Sequence, residues 1–280
     1  MKLCIRAHDL GVFGIPGILK QLDQYGLDGV QLVCYKAFEE IPQRPGGISL
    51  QQAQQIGKAL AAADKTVALV GAYFNPIHAS EEKVASGLEI FSDYLAVCHA
   101  LGCDTVGSET GSRNNDEWTY HPENRTEESL QGVVRAFSQL CDVAADQKSW
   151  VAMEGCAGHV CYDVDTLARA RKMIGKPTRV IFDLYNYLDA DNQGDYLDIL
   201  DRGLDVFGGD IQVFHMKDCI LQNGKKPLQT PFGQGGLDLE AILGRIKAYD
   251  RDAVLVLEET VAPHIAHAVD TIKTIWERVS

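Results

Sequence analysis

Eight short apolar runs, at about 2–6, 28–34, 66–72, 103–107, 149–154, 178–183, 210–216 and 252–258, alternate strictly with stretches of helical periodicity. Runs of this length, rich in Val, Ile, Leu and Cys, read as buried strands. Between them the apolar positions of 15–26, 49–64, 80–101, 126–146, 163–174, 195–207, 238–249 and 263–278 recur at helical spacing. Ser49, Ser80, Thr126 and Asp163 begin four of these segments as cap residues. Strict strand–helix alternation builds a parallel sheet, and eight units in 280 residues suit an α/β fold of the (β/α)8 TIM-barrel kind. No Gly/Ser/Pro linker divides the chain, so residues 1–280 are expected to form a single domain.

The connections are unequal. Those following strand-like runs are long (73–79, 108–125, 155–162 and 217–237), whereas those leading from helices back into strands are short. In a barrel the long ones share the carboxyl-terminal rim, where such folds keep their chemistry.

Four strand-like segments of the second half, WVAMEG, RVIFDLYN, IQVFHMKD and AVLVLEE, end on a metal-capable side chain: Glu154, Asp183, His215 and Glu258. A carboxylate or histidine at one strand end is commonly a cap or a rim ion pair. Four in consecutive units point instead to a shared cation, since neighbouring strand ends meet at one rim. One nitrogen with up to three carboxylates is a hard donor set, favouring one divalent ion, Mn²⁺ first, with Mg²⁺, Co²⁺ or Zn²⁺ as options. Of the adjacent pair Glu258 and Glu259, strand alternation turns only one inward, and Glu258 matches Glu154 in position.

Such a site can acidify a C–H bond next to a sugar carbonyl through a metal-stabilised enediolate, with a glutamate taking the proton. The fifth and eighth strands stand well apart around the ring, so Glu154 and Glu258 are expected to face each other across the substrate. Return of the proton from the opposite face inverts the centre, and return to the neighbouring carbon interconverts aldose and ketose.

These residues resemble the sugar isomerase/epimerase superfamily with the xylose isomerase-like barrel, which includes ketose 3-epimerases, hydroxypyruvate isomerase and inositol-catabolism enzymes. The resemblance rests on Glu154 in AMEG, Asp183 in FDLYN, His215 in FHMKD, the stretch Gly233-Gln234-Gly235-Gly236-Leu237-Asp238, and Glu258 in VLEE. It implies that Glu154 and Glu258 both ligate the metal and exchange the proton, while Asp183 and His215 are ligands only. Ketose 3-epimerases carry a histidine three residues after the aspartate, where this chain has Asn186, and an arginine after the metal histidine, where the nearest cation is Lys217. Asn186 and Lys217 are therefore taken as substrate contacts, and FHMKD with GQGGLD is closer to the broad sugar phosphate isomerase/epimerase group.

Other loop residues complete the expected substrate site: His8 after the first strand, Asn75 and His78 in YFNPIH, Glu109 in GSETGS, and His159 beyond Glu154. Asn75 precedes a proline and could equally form an Asx turn. Trp118, Tyr120 and His121 suggest a lid. Gly233 to Gly236, with Lys225 or Lys226, keeps a phosphate site open.

A net charge of −13 repels phosphodiester backbones, so nucleic acid is not an expected partner. No run is long enough to span a membrane, the amino-terminal segment soon turns polar, and the eight cysteines sit singly in apolar segments as reduced thiols. Together these features predict a soluble cytoplasmic enzyme acting on a small sugar or polyol, able to form homo-oligomers through its outer helices. The leading expectation is a metal-dependent sugar or polyol isomerase/epimerase. The alternatives are a keto-polyol dehydratase, an endonuclease IV-like phosphodiesterase and a non-catalytic sugar-binding barrel.

Overall fold

The computed structural model describes residues 1–279. Eight parallel strands close into a barrel: β1 (Lys2–Arg6), β2 (Gly29–Leu32), β3 (Thr66–Gly71), β4 (Thr105–Glu109), β5 (Trp150–Glu154), β6 (Arg179–Asp183), β7 (Ile211–Met216) and β10 (Val254–Leu257). Around the ring each strand pairs with its neighbours in the chain-order succession of units, and β1 closes the circle by pairing with β10, Cys4 opposite Val256. The outer ring comprises α1 (Gly14–Tyr25), α2 (Cys34–Ala37), α3 (Leu50–Ala62), α4 (Glu81–Leu101), α5 (Glu127–Gln147), α6 (Val164–Ile174), α7 (Tyr196–Phe207), α8 (Leu239–Tyr249) and α9 (Ile265–Arg278).

Local chemistry sets these boundaries. Ser49, Ser80, Thr126 and Asp163 each accept a hydrogen bond from the backbone N–H three residues on, and Ser49 with Gln52 completes a capping box. Each such cap stabilises its helix by about 1 kcal/mol. Three expectations shift. The fourth strand begins at Thr105 rather than 103, because Gly102 ends α4 in a left-handed turn that still holds the Cys103 N–H on Cys98 O (3.0 Å). Glu109 is the last residue of β4, where the sequence reading placed it inside the loop 108–125. The second strand stops at Leu32, since Cys34–Ala37 winds into the single turn of α2. The long connection after β7 also carries an unforeseen antiparallel hairpin, β8 (Asp218–Ile220) with β9 (Leu228–Thr230).

Two apolar layers hold the barrel. The larger lies between strands and helices, with Phe91, Phe137, Phe182 and Leu243 among its buried members. The smaller fills the interior with Cys4, Ala68, Leu69, Ala152, Ile181, Val213 and Val256. Gly107 makes room for that interior packing, since a Cβ there would lie 2.6 Å from Ile181 Cδ1. Strand side chains alternate with period two, so the residues two positions after Cys4, Ala152, Ile181, Val213 and Val256 stand directly above this layer. They are Arg6, Glu154, Asp183, His215 and Glu258. The apolar plug beneath them keeps water from approaching below and fixes the height at which the polar groups meet.

Candidate metal centre and its cavity

Glu154, Asp183, His215 and Glu258 each offer one donor atom, all within 4.8 Å of one another. His215 Nδ1 lies 2.5 Å from Glu258 Oε2, 3.5 Å from Glu154 Oε1 and 3.7 Å from Asp183 Oδ2. All four residues are buried, Glu258 the least so at 8% exposure. The other imidazole nitrogen, Nε2, is 2.7 Å from Gln31 Oε1, and Gln31 Nε2 donates to the Tyr73 hydroxyl (3.0 Å). This chain of contacts fixes the ring so that Nδ1 points into the cluster, the usual arrangement behind a ligating histidine.

Two cations flank one side of the cluster. Arg6 donates through Nη1 to Glu258 Oε1 (2.6 Å) while its Nε and Nη2 grip Asp9 at 2.8 and 3.0 Å. Lys217 Nζ sits 3.0 Å from Asp183 Oδ2 and 3.1 Å from Glu258 Oε1, and donates to Asn186 Oδ1 at 3.2 Å. Glu154 meets a neutral group instead, accepting from Asn186 Nδ2 at 2.8 Å. The two glutamates therefore titrate in opposite directions. Burial pushes the Glu154 carboxyl up to about 7, against the pull of His215. For Glu258 burial also raises the pKa, but Lys217, His215 and Arg6 together hold it well below the ordinary carboxylate range. Burial likewise works against the charged imidazole of His215, yet Glu258 and Glu154 outweigh it and drive the pKa well above its usual value.

Three atoms of the cluster, Asp183 Oδ2, His215 Nδ1 and Glu258 Oε2, are buried and make no well-aligned hydrogen bond, meeting only one another and the Lys217 ammonium as ion-pair neighbours. Buried polar atoms rarely lack well-aligned hydrogen bonds, and here the three face one point. A cation about 2.1 Å from each donor needs donors no more than roughly 4.2 Å apart, close to the spacing present. One nitrogen and three carboxylates fit a hard or borderline divalent ion. The carboxylates that raise the proton affinity of the His215 imidazole are the same groups that would hold a cation, so proton and metal would compete for Nδ1. The glutamate donor atoms converge on this point and do not stand a substrate's width apart, as the strand positions alone suggested.

A cavity of about 540 Å³ opens above the cluster, lined among others by Arg6, Tyr73, Glu109, Trp118, Tyr185 and Lys226. Glu154, Glu258, Asn186 and Lys217 line it too. Glu109 is free of Arg113, which turns to Ser129 Oγ (2.8 Å) and Glu128 (3.6 Å). The expected contacts His8, Asn75 and His159 are not among the lining residues. Asn75 is corrected to a loop clasp. Its carbonyl accepts from the Ile77 and Ser112 N–H groups (both 3.2 Å), and its amide donates to Ser112 O (2.6 Å) and Asn115 O (2.8 Å). His8 is held neutral by burial, its pKa pushed down to about 4, with Nε2 3.8 Å from Asp9. His159 is 2% exposed, with Nε2 3.0 Å from Trp118 O.

The glycine-rich turn does not offer a free anion site. Asp218 Oδ2 already accepts from the Gly233 and Gly235 N–H groups (3.1 and 2.8 Å), and a Cβ on Gly235 would fall 2.1 Å from Asp218 Oδ1. Glycine is required there so that the backbone can close around the protein's own carboxylate. Arg6, Gln31 and Tyr73 are site residues that the sequence reading passed over. Arg6 stands two residues after inward Cys4, and Gln31 is a lone polar side chain inside the buried run GVQL.

Strand ends, helical ring and carboxyl-rim site define a TIM barrel with a buried acid–histidine cluster. The chain belongs to the xylose isomerase-like TIM barrel family, whose description it matches over residues 19–275. Among solved structures it is similar to a D-tagatose 3-epimerase-like protein (TM-score 0.75, 15% identity, 100% of this chain and 98% of that one). It is also similar to the IOLI protein with a binding zinc atom (0.72, 16%, 100% and 99%) and to endonuclease IV from Thermus thermophilus (0.73, 18%, 99% and 100%). At these identities the likeness is one of fold. No curated protein matches the chain. No helix among the described residues is long and apolar enough to cross a membrane.

Proposed function

We propose that the protein is a divalent-metal-dependent sugar or polyol isomerase or epimerase, working by proton transfer next to a carbonyl. The observation that carries this reading is the convergence of four buried donor atoms, from Glu154, Asp183, His215 and Glu258, at the floor of a cavity large enough for a monosaccharide. Those four residues would hold the ion, Mn²⁺ by preference. When bound, it supplies Lewis acidity that weakens a C–H bond beside a carbonyl and stabilises the negative charge formed on oxygen.

The protein's own groups divide the remaining work. Glu154 removes and returns the proton, since burial and a neutral amide neighbour leave it the more basic carboxylate. Glu258, pinned by Arg6 and Lys217, chiefly anchors the ion and supplies a second proton site when a centre is inverted. Asn186 and Lys217 orient substrate hydroxyls from the rim, Glu109 and Tyr185 contact the sugar from the walls, and Trp118 keeps bulk water out. With the glycine turn occupied by Asp218, an unphosphorylated substrate suits the cavity better than a phosphorylated one. A dehydratase would use the same first step. A nuclease reading is opposed by the net charge of −13, which disfavours a polyanionic substrate.

The test is isotope exchange. Metal-loaded protein incubated in D₂O with a panel of ketoses, keto-inositols and keto-glycosides should place deuterium next to the carbonyl of at least one. Exchange with none of them, at full metal occupancy, overturns the reading.

A further inference from the structure

A second cluster of ligand-capable groups lies one strand away from the first. Glu109, Cys156 and His159 each offer a donor atom within 4.8 Å of one another. Glu109 ends β4 and is paired in register with Glu154 at the end of β5, while Cys156 and His159 follow in the turn after β5. That turn is fixed by its backbone: Cys156 N–H donates to Cys161 O (3.0 Å) and His159 N–H to Cys156 O (2.8 Å).

The histidine tautomer provides an independent pointer. His159 Nε2 lies 3.0 Å from Trp118 O. A carbonyl oxygen can only accept, so Nε2 carries the proton and Nδ1 keeps a lone pair. That Nδ1 is buried and has no hydrogen-bond partner, in a residue only 2% exposed. A buried imidazole lone pair with no hydrogen bond, in one group with a thiol and a carboxylate, is chemically able to ligate a cation.

We propose that Glu109, Cys156 and His159 form a second cation site, selective for Zn²⁺ or Co²⁺ over Mn²⁺ and Mg²⁺. The donor chemistry sets that selectivity. The first centre presents nitrogen and carboxylate oxygens only, whereas this one adds sulfur, which hard ions bind poorly and borderline ions bind well. Three protein ligands leave a fourth tetrahedral position open, and Glu109 already borders the cavity, so the open position serves a water or a substrate oxygen. Because His159 also holds Trp118 through its carbonyl and packs edge-on against the indole, ring centroids 5.7 Å apart, an ion here would stiffen the cavity wall at Trp118.

The experiment is a Co²⁺ titration of metal-free protein followed by optical spectroscopy and metal analysis. Wild-type protein should take up two Co²⁺ per chain and develop the near-ultraviolet thiolate-to-Co(II) charge-transfer absorption that the sulfur-free first centre cannot produce. Cys156→Ser and His159→Gln should each weaken the second equivalent at least tenfold, Cys156→Ser should remove the charge-transfer absorption, and both should still bind one Mn²⁺, which also reports that they are folded. A wild-type stoichiometry of one with no charge-transfer absorption, or an absorption that survives Cys156→Ser, overturns the proposal. Neither readout depends on turnover, so the result is separable from the fate of the isomerase reading.

Discussion

Two walls of the barrel mouth carry the same residue type in the same strand position and treat it differently. On the β5 wall, Glu154 is buried against the neutral amide of Asn186. On the wall formed by β10 and β1, Glu258 is clamped between the guanidinium of Arg6 and the ammonium of Lys217. VAME and LVLE look like repeats of one motif, yet one carboxyl is pushed up to about 7 and the other held well below its ordinary range. The difference comes from neighbours contributed by other strands. A pair of chemically identical groups whose environments separate their proton affinities is how an active site assigns one to proton transfer and the other to holding charge.

The strongest way to break this contrast is to neutralise each glutamate in turn. Glu154→Gln should lower the deuterium exchange of the proposed reaction by about 10²–10⁴-fold, the ordinary contribution of a general base. Glu258→Gln, assayed at metal concentrations that restore full occupancy, should lose distinctly less, because one of its oxygens is already committed to Arg6 and Lys217. Equal losses would show that both walls move protons and that the cation clamp is incidental to the chemistry.

A smaller effect should follow from Gln31→Leu, which touches neither glutamate. Gln31 fixes the His215 ring from behind at 2.7 Å, and loss of such a partner weakens metal binding by about 10–100-fold. Calorimetry with Mn²⁺ would measure it, and the exchange rate at saturating metal should stay near wild type. If the rate falls as well, His215 orientation matters to the proton step itself and the two walls are not independent.

How much of this could be read from the chain depends on whether a residue's neighbours are local. The barrel was legible because each strand and helix declares itself within one repeat, and Ser49 or Asp163 caps a helix that begins at the next residue. The four cluster residues were legible because each closes its own apolar run. Arg6 and Gln31 were not, although strand alternation above Cys4 and inside GVQL pointed inward, because their partners lie more than 180 residues away, just after β10 and in β7 respectively. The fate of the glycine turn was hidden for the same reason. Whether Gly233 and Gly235 cradle a phosphate or a carboxylate depends on where β8 brings Asp218, and that hairpin has no strong local signal.

The contrast also predicts opposite pH responses in metal-free protein. The folded-state pKa of Glu154 is raised from 4.5 to about 7, so the folded chain holds its proton longer than the unfolded one. Its contribution is fully present below pH 4.5 and is lost as pH rises toward and past 7, by on the order of a few kcal/mol at most. Glu258 is depressed instead, so its contribution is present above pH 4.5 and is lost as pH falls through the folded value. Denaturant melts of Glu154→Gln from pH 4 to 8 should accordingly lack part of the wild-type decline. Saturating metal should flatten the same decline, because the cation supplies the charge that Glu154 lacks. An unchanged slope in both experiments would mean that the β5 wall is not short of positive charge.

Asn186 bridges the Glu154 wall to the cation clamp on the other, giving its amide N–H to Glu154 Oε1 (2.8 Å) and accepting from Lys217 Nζ (3.2 Å). Asn186→Ala removes both hydrogen bonds, each worth about 1 kcal/mol net, so exchange should fall by no more than roughly thirtyfold. Asn186→Asp tests the asymmetry more directly at similar size. A carboxylate there attracts Lys217 away from Glu258 and faces Glu154 with a like charge, which weakens the clamp on one wall and raises proton affinity on the other. The pH profile of exchange should then shift upward relative to Asn186→Ala, even where their rates at the optimum are alike. Coincident profiles would mean that Lys217 is held by Asp183 and Glu258 alone, and that the bridge between the walls carries no electrostatic weight.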